Sequence, residues 1–231
     1  MNTDPNALIL STLAQKSQVK LNVYNSTLEA FKSMKKVARY LAGNFRKQLK
    51  SIDERIVVEF KDQGPFQFGF KIAGDMIIFS MHTNVFEFDR KHAVWNTPLV
   101  KKDEFASYSG MIHIYNFLAD SFKYNRFEDL GYLIGRIFIN KDGYFFVEGK
   151  RQLGVLFNIF GKETIDKKNI RSILQAAVLF SLDFDLLVPP YDKVAVASVE
   201  QLQKKSSTSS VKTAKRLGFK FYEEDENLSY L

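Results

Sequence analysis

Residues 132–147 read Tyr132-Leu133-Ile134-Gly135-Arg136-Ile137-Phe138-Ile139-Asn140-Lys141-Asp142-Gly143-Tyr144-Phe145-Phe146-Val147, two runs rich in β-branched and aromatic residues around a turn triplet. Asp-Gly favours the left-handed backbone of a tight hairpin, so this stretch predicts two antiparallel strands joined at residues 141–143. A similar pattern precedes it. From Arg55 onward Ile56, Val58 and Phe60 alternate with Val57, Glu59 and Lys61. Gly64-Pro65 then marks a turn before Phe66-Gln67-Phe68-Gly69-Phe70, and Gly74-Asp75 marks another before a run over residues 76–81 and the apolar Val85, Phe86 and Phe88. The expectation is an antiparallel meander ending near Asp89.

Helical spacing flanks these strands. Leu28, Phe31, Met34, Ala38, Leu41, Phe45, Leu49 and Ile52 recur at steps of three and four, which predicts an amphipathic helix of about seven turns with Ser26 or Thr27 as its N-cap. Lys32, Lys36, Arg39, Arg46, Lys47 and Lys50 fall mainly on its other faces. Residues 103–125 fit a helical stripe through Phe105, Tyr108, Met111, Ile112, Tyr115, Leu118 and Phe122, although residues 111–115 alone also fit a strand; the helix is the favoured reading. A short helix or loop over residues 152–160, a helix over residues 166–181 and a strand around residues 194–198 complete the pattern. The fold class is α+β: a long N-terminal amphipathic helix, antiparallel hairpins and a C-terminal helix–strand unit. One domain over residues 1–202 is expected, followed by a basic Ser/Lys-rich linker (203–216) and an acidic segment (217–231).

Composition narrows the function classes. A chain of 231 residues with 45% hydrophobic and 26% charged residues is long enough to bury a core unaided. The absence of cysteine excludes disulfides, thiolate metal sites and a cysteine nucleophile. No G-x-G-x-x-G or P-loop pattern occurs, and no run is long and apolar enough for a transmembrane helix, so a cytoplasmic protein without a cofactor is expected. The net charge of +7 is unevenly distributed: residues 16–50 hold nine Lys/Arg against the single acid Glu29, whereas residues 51–202 hold 18 basic against 20 acidic residues. Such a field attracts nucleic acid or an acidic partner surface, and a solvated helix face is the plainer alternative.

The sequence after the hairpin, Phe145-Phe146-Val147-Glu148-Gly149-Lys150-Arg151, places a carboxylate and an ammonium one residue apart, on the same face if the strand continues. This resembles the E-x-K half of the PD-(D/E)xK nuclease superfamily, and the helix over residues 166–182 and the segment Tyr191-Asp192-Lys193-Val194-Ala195-Val196 are similar to the elements that follow that motif. The resemblance covers residues 130–200 and implies a restriction-endonuclease-like fold. It also implies Mg²⁺ or Mn²⁺ bound by Glu148, water polarised by Lys150, and Asp129 as a displaced second ligand. The family's upstream metal-binding aspartate has no counterpart, since Leu133-Ile134-Gly135-Arg136-Ile137 contains no acid. His82, Asp89 and His92 form a thinner metal candidate, and Asp120, Ser121 and His113 a thinner hydrolytic one. Three readings stand at this point. The first is a non-catalytic binding protein using Lys32, Lys36, Arg39, Arg46, Lys47, Lys50 and Arg151 on nucleic acid or an acidic protein; the second is a metal-dependent nuclease; the third is an adaptor docking through its C-terminal tail.

Overall fold

The computed structural model describes residues 4–157 and 160–184, with positions 191, 195, 196, 198 and 199 beyond them. The chain begins with α1 (Pro5–Thr12), passes through a π turn (Leu13–Ser17) and continues without a break as α2 (Gln18–Lys50). Asp4 caps this helix by accepting the Asn6 N–H at 3.1 Å, and Pro5 occupies the first turn, where its missing N–H costs nothing. Ser26 and Thr27 are therefore not N-caps but mid-helix residues. Ser26 donates its hydroxyl to the Lys141 carbonyl (2.9 Å), and Thr27 donates to the Val23 carbonyl one turn back (2.8 Å). The helix extends upstream because no glycine or proline interrupts residues 6–42.

Seven strands follow: β1 (Val58–Asp62), β2 (Gln67–Ile72), β3 (Asp75–Met81), β4 (Phe86–Glu87), β5 (Tyr108–Leu118), β6 (Tyr132–Asn140) and β7 (Phe145–Gly149). They form one sheet in the order β1-β2-β3-β5-β6-β7, with β4 extending the same edge of β5 that β3 occupies, and each pairing is antiparallel. Short helices α3 (Pro98–Lys102), α4 (Ala119–Lys123) and α5 (Gln152–Leu156) lie in the connections, and α6 (Lys167–Leu182) is capped by Asp166, which accepts the Asn169 N–H at 2.7 Å. The α+β class, the long N-terminal helix and the hairpin at residues 141–143 agree with the sequence. Asn140 organises that hairpin, its side-chain oxygen accepting the Asp142 and Tyr144 N–H groups, while Gly143 takes φ +80°.

Residues 103–125 differ from expectation. Residues 108–118 are a central strand rather than a helix, because both faces of β5 are covered: Ile112 and Ile114 meet the helices, while Met111 packs in a second cluster on the other side. Burial on both sides puts apolar residues at nearly every position and so imitates a helical stripe. Of the expected strand at residues 194–198, the described positions 195, 196 and 198 are not part of a strand, while 194 and 197 lie outside the described residues, as do the whole linker and acidic segment.

The main core lies between one sheet face and the helices. Phe31 and Met34 of α2 meet Phe68, Phe70, Ile77, Phe79, Ile112 and Ile137, while α6 adds Ile170, Ile173 and Leu174. Phe68 stacks on Phe79 at 4.7 Å and tilts against Phe31 at 5.4 Å. On the second face, Phe88, Trp95, Val100 and Phe160 cover Met111, Phe138 and Phe146. None of the described helices is long and apolar enough to cross a membrane.

Helix and sheet are in close contact where β5 carries Gly110, since a Cβ there would overlap the fully buried Thr27 side chain. Gly110→Ala should destabilise the protein by about 1–3 kcal/mol through forced separation of α2 and β5. Urea denaturation checks this, and a Thr27→Ala change in the same chain should recover part of the stability.

Candidate functional site

Two surfaces hold the residues singled out by the sequence. The first is the end of β7. The hairpin is centred on Asp142, so Arg136 of β6 lies directly opposite Glu148 of β7. Arg136 Nη2 donates to Glu148 Oε2, and His92 Nε2 lies 3.3 Å from Glu148 Oε1. His92 Nδ1 accepts the Val94 N–H at 3.2 Å, so its proton sits on Nε2 and points at Glu148. Phe88 stacks on the His92 ring at 4.6 Å and holds it there. Both Glu148 oxygens are thus engaged by donors.

Lys150 does not share this geometry. β7 ends at Gly149, and Lys150 is an exposed bend residue whose N–H donates to the Ile134 carbonyl. The next residue, Arg151, takes φ +49°, an uncommon left-handed conformation that turns the chain out of the sheet. Asp129 lies before the start of β6 and is committed elsewhere. It accepts the Ser121 hydroxyl at 2.6 Å and pairs with Arg126 Nε at 2.8 Å, with side-chain exposures of only 5% and 9% for the acid and the guanidinium. Four strand steps, about 13 Å, separate Tyr132, the first residue of β6, from Arg136, and Asp129 precedes the strand. The structure therefore pairs Glu148 with Arg136 and His92, not with Lys150 or Asp129. This donor set does not fit a divalent cation, because the one carboxylate is neutralised and a guanidinium stands across from it on the preceding strand. Among the described residues no group of three His, Asp or Glu side chains is arranged for a metal, and His82, Asp89 and His92 form no such group.

The same row of the sheet holds Ser80 and Arg136, which the sequence did not single out, and His113, which it grouped with Asp120 and Ser121. Ser80 of β3 faces His113 of β5, His113 faces Arg136, and Arg136 faces Glu148, giving a polar line across four strands. Burial, the Arg136 charge and His82 hold the His113 imidazole below its usual range. The centre of the hairpin at Asp142 is the sequence signal that pairs Arg136 with Glu148; His113 joins them only once residues 108–118 are recognised as a strand.

The second surface is the outer side of α2. At about 100° per residue, Lys32, Lys36, Arg39, Arg46, Lys47 and Lys50 fall within an arc of about 100° opposite the core, along about 27 Å of helix. All six are exposed. Lys32 pairs with Glu29 at 2.7 Å and Arg39 approaches Asp62 at 3.4 Å, whereas Lys36, Arg46, Lys47 and Lys50 make no ion pair among the described residues. Arg171 of α6 lies over Tyr40 at 5.5 Å beside this stripe, and the Asn44 hydrogen bond together with the Arg171 charge holds the Tyr40 hydroxyl below its ordinary range. Arg151 is not part of the stripe. Its guanidinium lies 5.3 Å from the Phe184 ring and 3.4 Å from Asp183, at the C-terminal end of α6.

No family model, curated protein or solved structure matches this chain.

The two carboxylates should respond differently to removal. Asp129→Ala takes the carboxylate away from a buried guanidinium and should cost about 3–5 kcal/mol. Glu148→Ala breaks a pairing that is about one-third exposed and should cost about 0–1 kcal/mol. Equilibrium urea denaturation of the two variants separates them. The depressed His113 value adds a pH signature: the unfolded imidazole binds a proton more readily than the folded one, so this contribution to stability is lost as pH falls through about 6.5, the ordinary histidine value. The groups facing His113 are Arg136, Ser80 and His82, and His113→Gln should flatten the slope of stability between about pH 7.5 and 5.5.

Proposed function

We propose that the protein is a non-catalytic binding protein that engages a polyanion, nucleic acid first, through the outer face of α2. The observation that carries this reading is the convergence of six exposed cations on one helical arc, with only Glu29 and Asp62 as counter-charges among the described residues. A stripe about 27 Å long matches the repeating phosphates of a nucleic acid better than the scattered charges of an ordinary solvated surface. Two further features support it. The C-terminal turn of α2 carries Lys47 and Lys50, where the helix dipole favours cations, so these ammonium groups are held without a carboxylate. Tyr40 is 57% exposed at the margin of the row and offers a ring on which a base can stack. The chemistry required is electrostatic and positional, with no proton transfer or metal.

The nuclease reading places its chemistry on Glu148, Lys150 and Asp129, and nothing in the arrangement of those three favours it over binding alone.

Replacing Lys36, Arg46, Lys47 and Lys50 together by glutamine should weaken binding to a labelled duplex or single strand at least tenfold. The slope of log affinity against log salt should fall by about 3–4, one unit for each phosphate that the variant no longer neutralises. Gel retardation or fluorescence anisotropy across a salt series measures both quantities. An unchanged affinity in the quadruple variant, or binding indifferent to salt, refutes the assignment. Cleavage in Mg²⁺ or Mn²⁺ that disappears in Glu148→Ala would favour the nuclease reading instead.

A further inference from the structure

The chain contains three histidines, and all three lie on the second face of the sheet. His92 is fully engaged, by Glu148 on one nitrogen and the Val94 N–H on the other. The other two are not. Nδ1 of His82 accepts the Asn84 N–H at 3.0 Å, which leaves its Nε2 without a hydrogen bond among the described residues. Neither ring nitrogen of His113 has a hydrogen-bond partner among the described residues, and Arg136 uses only Nη2, on Glu148, leaving Nε and Nη1. Register puts these groups together: His113 is opposite Arg136 on one side and Ser80 on the other, and opposite residues in an antiparallel pair have Cβ atoms about 4.5–5.5 Å apart.

We propose that Arg136, His113 and His82, with the Ser80 hydroxyl, form a binding site for a phosphate group. The site is reachable and braced. Arg136 is 41% exposed, and His82, His113 and Ser80 are half-buried. The edge of His82 meets the Phe86 ring at 4.8 Å, the Tyr115 ring lies 5.5 Å from His113, and Glu148 fixes the guanidinium from behind. Preorganised donors of this kind bind an oxyanion without the ordering cost that long surface lysines carry.

The chemistry selects phosphate over other oxyanions. The guanidinium offers its free N–H donors to two oxygens. Each neutral imidazole has a donor nitrogen and an acceptor nitrogen, and Nδ1 is the acceptor in His82, so its Nε2 is a donor. Neutral His113 presents one donor and one acceptor to the same ligand. A phosphate monoanion carries P–OH groups that satisfy the acceptor, whereas sulfate and acetate at neutral pH have no proton to give. The site is separate from the α2 stripe, because Ile112 and Ile114, which alternate with His113, face the helices.

The three histidines make the test direct. The Cε1–H resonances of the full-length protein are followed at about pH 7, where the His113 imidazole is mainly neutral, while inorganic phosphate is added, with sulfate, acetate and chloride at matched ionic strength as separate arms. Saturable shifts of His113 and His82, with a smaller response from His92 and at most a tenth of the affinity for sulfate or acetate, are expected. Arg136→Gln should lower phosphate affinity at least tenfold. If that variant fails to fold, His113→Leu, which removes both the donor and the acceptor, decides the question by the same criterion through the His82 signal. The quadruple α2 variant should bind phosphate as the parent does. Shifts that grow linearly without saturation, equal responses to sulfate, or a response undiminished in the Arg136 or His113 variant would overturn the assignment and mark adventitious ion binding only.

Discussion

The packing of α2 across the middle of the sheet is the constraint on which the rest depends. Thr27 seats against Gly110 with no room for a Cβ, and Val23, Ala30, Phe31, Met34, Ala38, Leu41 and Ala42 continue the contact along the same side of the helix. Once that side is committed, helical geometry leaves the orientation of every other residue no freedom. Lys36, Arg46, Lys47 and Lys50 stand away from the core because Met34, Ala38 and Leu41 stand toward it. The same packing anchors the hairpin, through Ser26 on the Lys141 carbonyl, and with it the placement of Arg136 against Glu148. Core packing, hairpin register and surface charge are therefore linked through one helix.

The sheet separates two electrostatic environments. On the outer face of α2, cations outnumber carboxylates and several stand without an ion pair among the described residues. On the second face of the sheet, charge is balanced within the row, Arg136 against Glu148, with imidazoles on either side. At the end of β7, the strand before it presents the Arg136 guanidinium to Glu148, so this carboxylate is internally paired. Lys150 and Asp129 are separated from the row by a strand end and by a buried ion pair respectively.

Much of this was legible in the sequence, and the gaps have physical causes. The 141–143 hairpin was readable because Asp-Gly fixes a turn, and the core face of α2 because Phe31, Met34, Ala38 and Leu41 repeat at helical spacing. The beginning of the helix was missed because Ser26 and Thr27 imitate an N-cap, although Asp4-Pro5 carried the true signal. Residues 108–118 were misread because burial on both faces of a central strand removes its alternation. That error hid the pairing of His113 with Ser80 and Arg136, since cross-strand neighbours are set by strand register and not by chain distance. The stripe on α2 was readable in full; Arg151 was assigned to the same surface only because it is basic, and its positive φ and its contacts with Asp183 and Phe184 belong to tertiary structure.

The central claim is that polyanions meet this protein on the outer face of α2, and chemical footprinting tests it without any substitution. Lysine acetylation read by mass spectrometry, with and without saturating nucleic acid at low salt, reports which ammonium groups the ligand covers. The account predicts strong protection of Lys36, Lys47 and Lys50, with Lys61, Lys71, Lys101 and Lys102 on β1, β2 and α3 modified as before. Protection centred on those strand and α3 lysines, or none on α2 under conditions of full binding, would contradict it.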